Sequence, residues 1–89
     1  MLVLPSELTH KQATVCLRML VQGLPSQAGP AVVVDAAALR VFDSSALAVL
    51  LAFRRASRAA NKRLEIRGLT PRLLDLARVY GVADLLLPG

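Results

Sequence analysis

The stretch Val41-Phe42-Asp43-Ser44-Ser45-Ala46-Leu47-Ala48-Val49-Leu50-Leu51 sets an acid and two hydroxyls directly ahead of a long apolar run. Asp and Ser oxygens accept hydrogen bonds from the first free backbone N–H groups of a helix, so the pattern predicts a helix start capped by Asp43 or Ser44. The positive end of the helix dipole also favours a carboxylate or a phosphate nearby. The same residues can therefore serve as an anion or docking point.

Strand and helix alternate on both sides of this start. Leu2-Val3-Leu4 is a short apolar run stopped by Pro5, and Ala31-Val32-Val33-Val34 is a β-branched run closed by Asp35, the pattern of a buried strand. Leu64-Glu65-Ile66-Arg67 alternates in polarity and ends at Gly68, which predicts a third, half-exposed strand. A first helix is expected over residues 9–24, with Thr9 as its cap, Val15, Met19 and Leu20 on its apolar side, and stop signals at Gly23 and Pro25. The second helix covers residues 44–60. Thr70-Pro71 opens a third, with Thr70 at the N-cap and Pro71 in the first turn, followed by Leu73, Leu74, Leu76, Ala77 and a stop at Gly81. Residues 82–87 are expected to form a short strand or turn. The order βαβαβα predicts one α/β domain over residues 1–89, a small mixed or parallel sheet packed against helices.

Composition narrows the function classes. Eighty-nine residues suffice for a two-layer core but not for a separate catalytic domain. A net charge of +5 suits an acidic partner, yet Phe42, Phe53 and Tyr80 are the only aromatics to stack on bases, and Arg40 and Arg72 join no dense basic run. Nucleic acid is not expected as a partner. The single cysteine, Cys16, lies within an apolar helical pattern and reads as core filler in a reducing compartment. Mean hydropathy is +0.54, but the longest apolar run, residues 46–53, is far short of the ~20 residues that span a bilayer, so no direct membrane insertion is expected. With no secretory pattern at residue 1, the expected location is cytoplasmic.

At 100° per residue the second helix has two unlike faces. Ala46, Val49, Ala52, Phe53, Ala56 and Ala60 fall on a core side, whereas Ser44, Leu47, Leu51, Arg54, Arg55, Arg58 and Lys62 fall on the other. Leucines at its start and positive charge at its end give the second side the composition of a docking surface. No catalytic constellation accompanies it. His10 lacks a matched Cys or acid at metal-ligand spacing, the glycines of a nucleophile elbow and of a phosphate-cradling loop are missing, and Glu65 and Asp75 are not paired for acid/base work. These residues read as surface groups, with no catalytic residue, metal or cofactor expected.

The run Val32-Val33-Val34-Asp35 followed by Phe42-Asp43-Ser44-Ser45-Ala46-Leu47 resembles the strand, the D-[ST]-[STG]-G-L signature and the helix of STAS domains. The similarity continues through Leu64-Glu65-Ile66-Arg67-Gly68-Leu69 and residues 73–86. Such domains usually open with a two-strand hairpin. Only residues 2–4 precede the first helix here, so the resemblance implies that an N-terminal edge strand is shortened, displaced or supplied by another chain, as in a homodimer sharing an edge strand.

Two branches of the family imply different mechanisms. In anti-sigma factor antagonists a partner kinase phosphorylates the second hydroxyl of the signature, which falls on Ser45 here. In the MlaB-like branch the first hydroxyl, here Ser44, belongs to a surface that docks on the ATPase subunit of a phospholipid ABC transporter maintaining outer-membrane lipid asymmetry. Leu76-Ala77-Arg78-Val79-Tyr80-Gly81-Val82 is similar to a Leu-Ala-x-x-Tyr pattern of that second branch. The resemblance thus implies a non-enzymatic module, peripheral to the inner membrane through a transporter complex, whose partner surface comprises Asp43, Ser44, Ser45, Leu47, Leu51, Arg54, Arg55 and Arg58. Ala46 stands where the family commonly has Gly, and its methyl is expected to narrow access beside Ser45.

Overall fold

Five residues, Ala31–Asp35 (β3), form the middle of the sheet, and their alternation explains the layering. Val32 and Val34 are fully buried while Ala31, Val33 and Asp35 are half-buried, so the strand packs on one face rather than both. A computed structural model describes residues 1–86. Leu2–Val3 (β1) and Arg63–Arg67 (β5) flank β3 in the order β1-β3-β5. Leu2, Val34 and Ile66 share one register row on the buried face, and Val3, Asp35 and Arg67 form the next row on the opposite face. Every strand pairing among the described residues is parallel, which decides between the mixed and parallel sheets that the element order allows.

The N-terminal edge strand, expected to be shortened, displaced or supplied by another chain, is short, and a second strand is displaced from the main sheet. After Pro5 the chain leaves the main sheet, and Glu7–Leu8 (β2) pairs with Val41–Phe42 (β4) in a separate parallel ladder. Backbone N–H groups of Arg40 and Val41 both donate to the Ser6 carbonyl at 2.9 and 3.0 Å, extending that pairing. A parallel partner must be reached through a crossover rather than a tight turn, and here the crossover contains α1 and β3.

Ala13–Gly23 (α1) is shorter than the expected helix because Thr9 shapes the turn ahead of it instead of capping it. The Thr9 hydroxyl and backbone N–H both donate to Gln12 Oε1, at 2.7 and 2.9 Å. A 3-10 turn, Leu24–Ser26, follows α1 with Pro25 inside it. Ser44–Ala59 (α2) runs beside α1, since two same-direction crossovers place both helices on one face of the sheet. Pro71–Val79 (α3) is capped by Thr70, whose hydroxyl accepts from Leu73 N–H at 3.3 Å. Ala83–Leu86 (α4) is a short helix where a strand or turn was expected, and Leu87 lies outside the described residues.

Two helices end with one device. Asn61 follows α2 at φ +60°, with its N–H donating to Arg58 and that of Lys62 to Ser57; Gly81 follows α3 at φ +73°, with Arg78 and Ala77 as the acceptors. Both are Schellman ends, which supply partners to otherwise orphaned carbonyls. The Lys62 ammonium then ties the loop ahead of β3 by donating to the Gln27 and Gly29 carbonyls at 2.6 and 2.7 Å.

Phe53, Leu50, Val32, Val34 and Leu73 fill the centre of the core. Cys16 is buried among them, and burial pushes its thiol pKa up, as core filler would require. Replacing Phe53 by Ala should cost about 3–5 kcal/mol of unfolding free energy, read from urea titrations. Thr70→Ala should cost about 1 kcal/mol through loss of the cap. Gly68→Ala should be at least as damaging as Thr70→Ala, because Gly68 has φ +74° and an added Cβ would sit 2.9 Å from the Ala37 backbone nitrogen.

Candidate functional site at the start of helix 2

The register of the small ladder builds the site. Leu8 is aligned with Phe42, so two residues beyond Leu8 and one beyond Phe42 the chain brings His10 against Asp43. Asp43 is the N-cap of α2: one carboxylate oxygen accepts the Ser45 N–H at 2.8 Å, and the other accepts the His10 N–H at 3.2 Å. The His10 imidazole Nδ1 lies 3.5 Å from that second oxygen. These donors, the Ser45 amide foremost, hold the Asp43 carboxyl below the usual carboxylate range, against a partial desolvation that acts the other way. The sequence marks His10 only as a surface residue. It is one, but it also joins the cap, through a pairing 33 residues apart in the chain that no local pattern signals.

Ser44 is exposed and Ser45 half-buried, so the two hydroxyls differ in access. Ala46 is fully buried, and its methyl packs into the core instead of narrowing the approach to Ser45. Phe42, just ahead of the cap, is half-buried beneath the Arg72 guanidinium, which sits 5.3 Å from the ring centroid. Arg72 is a second residue of this neighbourhood that its isolation in the sequence conceals.

Leu47 departs from the outward position expected for it. It is only 3% exposed, because α2 touches the sheet, α1 and α4 and therefore buries a wider arc than one sheet-facing stripe. Leu51 is half-buried against the core, Arg54 is half-buried, and Arg55 and Arg58 are exposed. On the other side Ala52 and Ala56 are half-buried and Ala60 exposed, while Leu50 and Ser57 are fully buried. The outward stripe thus reads Ser44, Ala48, Leu51, Arg55, Arg58, about 21 Å from end to end at 1.5 Å per residue. Among the described residues, Arg54, Arg55 and Arg58 form no ion pair; Arg78 with Asp75 and His10 with Asp43 are the recorded pairs. No group of three or more His, Cys, Asp or Glu side chains suited to holding a metal occurs among them, and no helix is long and apolar enough to cross a membrane.

Small parallel sheets with helices packed against them make the described residues a single α/β module. The chain belongs to the MlaB-like STAS domain family: the family model described as Mlab, STAS domain matches residues 1–88. STAS domains are in general binding modules rather than enzymes. No curated protein matches the chain.

The lowered Asp43 carboxyl gives folding a pH dependence of definite sign. Its stabilising contribution is complete above the ordinary carboxylate value of 3.8 and is lost as pH falls through the lower folded-state value. Asp43→Asn should therefore flatten part of the acid arm when urea midpoints are compared between about pH 5 and pH 2.5. An unchanged acid arm would show that the cap carries no charge-dependent stability.

Proposed function

We propose that this chain is a non-enzymatic subunit that docks on the cytoplasmic ATPase of a phospholipid ABC transporter and supports its assembly and activity. The partner surface in this reading is the outward stripe of α2, with Ser44 at its head, half-buried Leu51 at its middle and Arg55 and Arg58 at its foot, flanked by half-buried Ser45 and Arg54. Asp43 positions the surface by capping the helix, and Leu47 serves the core beneath it. The observation that carries the reading is the alignment of an exposed signature hydroxyl with unpaired cations on one helix face, in a chain matched to the MlaB-like family over residues 1–88. Exposed cations without intramolecular partners are available to steer and orient an acidic partner surface. Association with the ATPase would place the module beside the inner membrane without a span of its own.

The alternative, an anti-sigma factor antagonist phosphorylated by a partner kinase at Ser45, draws less support. Ser45 is half-buried and its amide is engaged by Asp43, whereas the freely exposed hydroxyl is Ser44.

Co-purification with the ATPase subunit of a phospholipid ABC transporter from the same cell tests the proposal. Joint replacement of Arg55 and Arg58 by Glu should weaken capture by about tenfold or more, and Ser44→Trp should act in the same direction. Arg78→Glu, at an exposed position of α3, should leave capture unchanged. Equal capture by all variants would refute docking through α2, and addition of one phosphate to Ser45 by a cognate kinase would favour the switch.

A further inference from the structure

The N-terminal segment builds a second feature, which shares no residue with the helix 2 stripe. Between β1 and α1 lies an apolar groove of about 710 Å³, within the size range of small-molecule sites. Its walls include Met1, Val3, Val15 and Met19, which are 66, 60, 55 and 65% exposed. Large apolar side chains are not normally left so open in a cluster without a ligand or partner.

The groove is chemically polarised along its length. Lys11 and Gln12, in the turn ahead of α1, supply its polar end, and Met19 and Leu20 lie two helical turns away at its apolar end. No acidic residue lines it. The same polar end carries the start of an 11-residue helix whose N-cap residue, Gln12, makes no side-chain cap bond and whose first turn has no acid. An ammonium and an uncapped positive helix end thus meet at one end of an apolar trough. A second copy of the chain is a poor occupant, since two molecules of net charge +5 repel each other and no acid lines the groove to offset its Lys11.

We infer that this groove binds one molecule of an anionic single-chain amphiphile, its acyl chain lying along Val3, Val15 and Met19 and its acidic headgroup resting on Lys11 and the start of α1. The full chain contains two methionines, Met1 and Met19, and both line the groove. Methyl-labelled methionine NMR therefore reports on this site without interference from any other. Titration with oleate below its micelle concentration should shift both methyl signals and saturate at one equivalent. Lys11→Gln should weaken oleate binding by about fivefold, the size of one exposed charge contact. The uncharged oleyl alcohol should bind the unaltered chain more weakly by at least as much. Val15→Asp should abolish the shifts while preserving the circular dichroism spectrum, because Val15 is largely exposed. Unmoved methionine signals, equal affinity for oleate and the alcohol, binding only to anionic vesicles, or a concentration-dependent dimer that buries the methionines would each overturn the assignment.

Discussion

The Asp43 carboxylate is the contact on which the remaining geometry depends. One oxygen caps α2 and the other holds the His10 amide, so a single side chain fixes both the start of the longest helix and the turn that precedes α1. The cap is local to residues 43–45, whereas the His10 contact rests on the parallel pairing of Glu7–Leu8 with Val41–Phe42, which delivers His10 and Asp43 to the same place. The apolar side of α2, packed on the sheet, α1 and α4, sets the rotation of the helix. Phe53 and Leu50 then point into the core, and Ser44, Ala48, Arg55 and Arg58 point out.

From this follows a division of labour along one helix. The inward side of α2 supplies the centre of the hydrophobic core, and the outward side carries a hydroxyl at one end and, at the other, cations that form no ion pair among the described residues. The helix ends are secured separately by Asp43 and by the Asn61 Schellman turn. Docking on such a face would not require the domain to open. A partner could read the stripe while every core contact remained in place, which suits a supporting subunit better than a device that must rearrange.

Much of this was legible in the residues. The Ala31–Asp35 strand matches its β-branched run closed by Asp35, and Thr70-Pro71 and Gly81 mark the ends of α3 because capping and positive-φ chemistry are local. What escaped was set by contacts distant in sequence. Leu47 is covered because α2 has neighbours on more than one side, and helical periodicity records only the direction of a side chain, not what lies there. The β2–β4 ladder has two residues per strand, too few for any alternation to be visible, so His10 was not seen as a partner of Asp43. Arg72 reached Phe42 for the same reason: α3 and β4 meet only in the folded chain. The groove along β1 was hidden by an assumption of another kind. Val15 and Met19 belong to the apolar pattern of α1, yet both are exposed.

Docking through α2 is tested most directly by site-specific photocrosslinking in the presence of the ATPase proposed as its partner. A photoreactive residue placed at exposed Ala48, in the middle of the α2 stripe, should capture the ATPase, and the same group at exposed Tyr80, beyond α3, should not. Capture from Tyr80 with none from Ala48 would contradict the assignment of the outward face of α2 as the docking surface.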